Sequence, residues 1–234
     1  MALEQGKPDR HWWIYAVLLP FILNVAGLLV FGAAYVGAAM RQQTLSVTQQ
    51  EQMLFALYVI VFTVQVVAAA GLIVERKRRG ISLAALVSPI GPPRHFRWMP
   101  AILIFVAFNG LFAAYVLITV VLRGAWPSLN HLDAWQRVFM LIAIPIQAGF
   151  CEELIWRSHL IPQFELRGRR TRAAIWLSAL SFATIHGFFL PDKLIVTLLF
   201  GLLAGVYFAR ERNALPLMVS HWFVDVWSFG LSVL

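Results

Sequence analysis

A chain of 234 residues that is 60% hydrophobic and only 13% charged, with a mean hydropathy of +0.75, is too apolar for a soluble domain, which is nearer half apolar and a quarter charged. It reads instead as an integral membrane protein with almost all of its length in the bilayer. The formal charge of +8 argues against a nucleic-acid binder by its placement, because the basic residues gather in Glu75–Arg79 with Arg94 and Arg97, in Arg167–Arg172, and at Arg210 and Arg212. Short basic loops between hydrophobic spans are the positive-inside pattern.

In chain order the hydropathy pattern predicts seven spans. The first runs from Trp12 to Val36 and is read as a retained anchor. A polar loop, Arg41–Glu51, leads to a second at Met53–Val74. A basic loop, Glu75–Arg97, follows, in which Pro89, Pro92 and Pro93 oppose a continuous helix. The third span covers Met99–Leu122, and Gly124-Ala125-Trp126-Pro127-Ser128 breaks the chain again. The fourth, Trp135–Leu160, carries Glu152 and Glu153; the fifth, Ala173–Phe189, carries His186. The sixth, Leu194–Ala209, holds Gly201 and Gly205 at Gly-x-x-x-Gly spacing, which permits close helix packing. The seventh, Ala214–Leu234, carries His221 and Asp225. With the N-terminus inside, near Lys7 and Arg10, the basic loops fall on one side, and Lys193 falls in an outer loop. Trp12, Trp13, Trp98, Trp126 and Trp135 lie at span ends, as an aromatic belt requires. The expected fold is all-α, a multi-pass helical bundle in a cell membrane, with a bacterial inner membrane the expected location.

The chemistry-bearing stretch is Gly149–Arg157, Gly-Phe-Cys-Glu-Glu-Leu-Ile-Trp-Arg. Ionisable groups at membrane depth cost about 2.5–3.5 kcal/mol each on insertion scales, so they usually face a protein interior with a task. Glu153 and Arg157 are four apart with the acid first, the better orientation for a helical ion pair. Glu152 points about 100° away from Glu153 on a regular helix, so one carboxylate is neutralised locally while the other stays available. His221 and Asp225 are also four apart, which lets Asp225 accept from one imidazole nitrogen and fix the tautomer that the other presents. If spans four, five and seven meet, a carboxylate and an imidazole can hold one water for general-base hydrolysis. Glu152 and His186 fall nearer mid-membrane than His221, so a tilted or broken helix is needed to bring them level.

Glu-Glu-x-x-x-Arg (Glu152, Glu153, Arg157), Phe-x-x-x-His (Phe182, His186) and His-x-x-x-Asp (His221, Asp225), in that order on three late spans, resemble the CPBP family, the CAAX proteases and bacteriocin-processing enzymes also called the ABI family. The resemblance covers roughly Met99–Leu234 and divides the chain into residues 1–97, two spans and a basic loop, and 98–234, a catalytic membrane domain. It implies a metal-free, cofactor-free intramembrane glutamic endopeptidase similar to type II CAAX prenyl endopeptidases. Its substrate would be a membrane-associated peptide or protein, cut near a C-terminal or leader segment. In that scheme Glu152 is the base activating water, His186 assists it, and His221 with Asp225 forms the oxyanion side. Glu153 and Arg157 hold the helix and the charge balance. Asp225 departs from the family's more frequent Asn, and an ionised Asp cannot donate a hydrogen bond to an oxyanion.

Other readings stand beside this one. The glutamates can brace helices as an ion-pair network, and each histidine alone can be a packing residue. Two histidines and a carboxylate are a known zinc ligand set, although the His-Glu-x-x-His spacing is absent. A protein of the same fold can bind a peptide without cutting it, as an immunity factor does. Cys151, the single cysteine, precludes an internal disulfide, and its helical direction differs from that of Glu152. Asn24, Gln65, Asn109 and Gln147 are expected to make interhelical hydrogen bonds; Phe182 is expected to pack, and His11, His95, His131 and His159 are given no role.

Overall fold

A computed structural model describes residues 8–88, 97–124, 126, 128–186 and 191–233. The expectations placed on Lys7, Pro89, Pro92, Pro93, Arg94, His95, Ala125 and Pro127, and on the span ends at Phe189 and Leu234, lie outside the described residues. Within them the chain forms eight helices and no strand. They are α1 (Ile14–Met40), α2 (Val47–Arg78), α3 (Leu83–Val87), α4 (Trp98–Arg123), α5 (Ala134–Leu166), α6 (Thr171–Thr184), α7 (Pro191–Glu211) and α8 (Leu215–Val233). The fold is the expected multi-pass helical bundle.

Five helices, α1, α2, α4, α5 and α7, are long and apolar enough to cross a bilayer, against the seven spans expected. At 14 residues α6 is shorter than the ~20 needed to span the hydrocarbon core. α8 gives positions to His221, Asp225 and three serines, Ser220, Ser228 and Ser232, which lowers its hydropathy. A second difference lies in α2. A capping box at Ser46 and Gln49 starts it early, and Arg76, Lys77 and Arg78 form its last turn, where cations complement the helix dipole. Much of the expected basic loop is therefore helix, and α3, capped by Ser82, occupies more of it.

α5 is the axis of the bundle. Of its most apolar window 61% is buried inside the protein, against 17% to 33% for the other four long helices, so the others wrap it. Asp133 and Gln136 cap its start. Residues Ala148–Leu160 are π-helical, a form found mostly as short segments at functional sites. This stretch lies between Pro145 and Pro162, each of which removes a backbone donor and crowds the preceding turn. Side chains of α6 bond this stretch: Ser178 donates to the Trp156 carbonyl at 2.5 Å, and the Trp156 indole Nε1 donates to Ser181 Oγ at 3.0 Å. Ser181 in turn donates to the Ala16 carbonyl at 2.8 Å, tying α1 to the same edge.

Glycines set the closest approaches. A Cβ on Gly201 would lie 3.0 Å from Ala179 Cα, and one on Gly205 2.7 Å from Ile175 Cγ2, so the Gly-x-x-x-Gly pair seats α7 against α6 as expected. At the head of the π-helical stretch a Cβ on Gly149 would lie 2.7 Å from the Met218 carbonyl oxygen. That contact brings α8 against α5 where the chemistry-bearing residues begin.

Candidate active site

The π-helical stretch of α5 carries Glu152, Glu153 and Arg157, all buried. Glu153 Oε1 accepts from His221 Nδ1 at 2.8 Å and forms an ion pair with Arg157 at 3.2 Å. The Arg157 guanidinium lies over the Phe182 ring, 4.2 Å from its centroid, so a buried cation has both a carboxylate and an aromatic face. Glu153 therefore bridges α5 and α8 and fixes His221 with Nδ1–H toward α5 and Nε2 toward the interior. Asp225 was expected to orient His221. Its Oδ2 stands 3.7 Å from Nε2, beyond hydrogen-bond length, and faces the opposite nitrogen from the one that Glu153 holds.

Glu152 turns the other way. Its Oε1 accepts from Gln65 Nε2 at 3.0 Å, and Gln147 donates to Gln65. Its Oε2 lies 3.7 Å from both His186 Nε2 and His221 Nε2, and among the described residues it is a buried oxygen with no hydrogen-bond partner. His186 sits in the turn after α6 rather than within a span, which is the break that brings it level with Glu152. Its Nδ1 is 3.1 Å from the Phe182 carbonyl; a carbonyl only accepts, so Nδ1 carries a proton, and in the neutral form of the ring Nε2 is left as the acceptor facing Glu152. Asn24 of α1 donates to the Thr184 carbonyl at 2.8 Å, securing the helix end from which this turn departs.

These groups open onto a cavity of about 520 Å³ lined by Glu152, His186, His221 and Asp225, by Gln65 and Gln147, and by Lys193. Apolar side chains from α1, α2, α4 and α7, among them Leu23, Phe31, Val61, Phe112 and Phe200, make up most of its wall. A large apolar cleft with a few converging polar groups is the usual form of a site for an apolar ligand. Among the described residues, no group of three or more His, Cys, Asp or Glu is arranged to hold a metal ion. Cys151 is buried and free and does not line the cavity.

Four features escaped the sequence reading. Gln65 and Gln147 make the interhelical bonds expected of them, but their target is Glu152. Lys193 was assigned to an outer loop and instead lines the cavity. Gly149 had no role. Asn109 bonds the Phe105 carbonyl of its own helix at 2.8 Å rather than a neighbouring helix. A fifth feature is a second buried cluster on the far part of the π-helical stretch. His159 lies 2.8 Å from Arg76 through Nδ1 and 3.5 Å from Asp9 through Nε2. Asp9 also accepts from Arg167 through its carbonyl, and its N–H donates to Gln163 Oε1 at 2.7 Å.

Residues 133–227 match the model of a family described as type II CAAX prenyl endopeptidase Rce1-like. The matched stretch holds α5 to most of α8 and all seven residues of the three motifs; it begins later than the Met99 expected from the resemblance. No curated protein and no solved structure matches the chain.

Proposed function

We propose, from the match of residues 133–227 to the Rce1-like type II CAAX prenyl endopeptidases, that this chain is an intramembrane glutamic endopeptidase of the cell membrane. Glu152 is its general base. The carrying observation is the spacing around Glu152 Oε2, with His186 Nε2 and His221 Nε2 each 3.7 Å away. Gaps of that size suit a water bridging polar groups. A water there donates one hydrogen to the carboxylate and the other to the His186 lone pair, which points its oxygen at the cavity. Glu152 takes the first proton as that oxygen attacks the scissile carbonyl carbon. Negative charge moves to the carbonyl oxygen, where a protonated His221 donates from Nε2 while Glu153 holds Nδ1. When the intermediate collapses the C–N bond breaks, and Glu152 returns its proton to the leaving amine. The products are a carboxylic acid, which keeps the water's second proton until it ionises to solvent, and a free amino terminus.

His186 and Arg157 act beside this step: His186 holds the water, and Arg157 balances the charge of Glu153. Asp225 faces the same nitrogen of His221 as the oxyanion would and holds that donor by its charge. The substrate is a membrane-associated peptide whose apolar portion occupies the cavity wall. The test uses the protein in lipid nanodiscs with a farnesylated peptide ending in a CAAX tail, products mapped by mass spectrometry. Wild type releases the tail; Glu152→Gln, nearly the same shape, releases none while still binding the peptide. Tail release by the Gln variant at the wild-type rate contradicts the reading. Loss of cleavage on chelation with recovery on adding zinc would replace it with a metalloprotease, and wild-type binding without cleavage would leave a peptide-sequestering protein.

A further inference from the structure

Lys193 is the cavity residue that the proposed reaction leaves unused. It lies in the first turn of α7, where the helix dipole disfavours a cation, so helix stability does not account for it. A lysine within a hydrophobic bundle is costly unless it has a partner or a task. The other charges of the site are committed to one another. Arg157 pairs with Glu153, and His221 stands between Glu153, Glu152 and Asp225. Lys193 lines the same cavity together with Tyr58 of α2 and Tyr115 of α4. The carboxylates that act on its charge are Asp225 and Glu152. Among the described residues, none of the side chains of Lys193, Tyr58 and Tyr115 makes a hydrogen bond or an ion pair. One cation and two phenol-bearing residues therefore line the same cavity as the proposed base.

We propose that Lys193, with Tyr58 and Tyr115, forms an anion subsite that takes a carboxylate of the peptide substrate. The inference rests on the proteolytic reading and adds to it what anchors the substrate's polar end. An ammonium is a point charge with three donors, and a phenol adds a neutral donor, a set suited to one singly charged carboxylate. A more highly charged phosphate would be repelled by Glu152 and Asp225 in the same cavity. The carboxylate can be the peptide's own C-terminus or an acidic side chain in its tail.

The experiment uses the full chain in nanodiscs and three farnesylated peptides of one sequence: a free C-terminal acid, a C-terminal amide, and an amide carrying one Glu in the tail. A buried hydrogen bond to a charged group is worth about 1.5–3 kcal/mol, so wild type should prefer a carboxylate-bearing peptide over the plain amide by about tenfold or more in kcat/KM. The preference should lie mainly in KM. Which peptide shows it, the free acid or the tail Glu, identifies the source of the carboxylate. Lys193→Met erases that preference, and Lys193→Arg restores part of it, which a merely structural lysine would not do. Equal kcat/KM for all three peptides with wild type overturns the subsite, as does a Lys193→Met variant that keeps the preference. Glu152→Gln, run alongside, separates the two claims. If it is inactive and the preference is absent, the subsite alone fails; if it cleaves like wild type, the proteolytic reading fails.

Discussion

The π-helical stretch of α5 carries two buried polar clusters, and their contrast shows what distinguishes a site from a brace. One joins Glu152, Glu153, Arg157, His186, His221 and Asp225; the other joins His159, Asp9 and Arg76, with Arg79 3.7 Å from the Asp9 carboxylate. Both hold carboxylates, histidine and arginine away from water. Both contain polar atoms without a hydrogen-bond partner among the described residues: Glu152 Oε2 and Glu153 Oε2 in the first, and Asp9 Oδ2, His159 Nε2 and Arg76 Nε in the second. Burial and perturbed charge therefore do not separate them. Access does: Glu152, His186 and His221 line the 520 Å³ cavity, whereas Asp9, Arg76 and His159 do not. The second cluster closes the N-terminal segment onto α5, with Trp12 packed edge-on against Phe164 at 5.3 Å and Tyr15 against His159 at 4.9 Å.

The two clusters should differ most in their response to substitution. His221→Ala removes the proposed oxyanion donor and should lower kcat by about 10²–10⁴, the range for a positioned acid or base, with little change in thermal midpoint. Removing Asp9 should do the reverse. Asp9→Ala removes the carboxylate that faces Arg79 and His159 and should cost about 1–3 kcal/mol of stability, while folded protein keeps its kcat. Thermal unfolding of the reconstituted protein, scored beside turnover, reads both. If Asp9→Ala lowers kcat and leaves the melting temperature alone, the two clusters are not distinct in kind.

A smaller effect is expected at Gly149. The alanine methyl would meet the Met218 carbonyl oxygen at 2.7 Å and Trp222 Cβ at 3.0 Å, so α8 must move. Overpacking of this kind costs about 1–3 kcal/mol, and the shift should also stretch the His221–Glu153 bond and lower activity. An alanine variant as stable and active as wild type would remove the claim that α8 is seated there. The smallest effect belongs to Gln65. Gln65→Leu deletes one hydrogen bond to Glu152, about 1–3 kcal/mol when a buried partner is left unmade, and should reduce kcat by about tenfold with KM unchanged. A rise in KM alone would assign Gln65 to substrate contact.

Much of this arrangement is legible in the sequence because it depends on local spacing. The Glu153–Arg157 pair follows from a four-residue interval, the Gly201 and Gly205 contacts from theirs, and the apolar spans from composition. What sequence spacing misses is set by tertiary contact. The interval between His221 and Asp225 puts them on one helical face, yet the imidazole is oriented through Nδ1 by Glu153 from another helix. Lys193 is an outer-loop charge by hydropathy, because nothing in the sequence tells that its helix starts early enough to turn it into the cavity. The π-helical hydrogen bonding of α5 depends on side chains of α6 that accept and donate at its edge, and the short α6 depends on Asn24 to secure its end. Hydropathy counts apolar residues, so it reads seven spans; helix length and the polar residues that a site requires reduce the number that qualify to five.

In the proposed reaction Glu152 and His186 hold one water as a unit, and a double-mutant cycle in kcat measures that coupling. Glu152→Gln, His186→Ala and the double variant are compared on the farnesylated peptide in nanodiscs. Residues acting as a unit are strongly non-additive, so the double variant should be no slower than the poorer single one. Losses that multiply, with the double variant slower by the product of the two single effects, would mean that the two side chains act independently and would contradict the account.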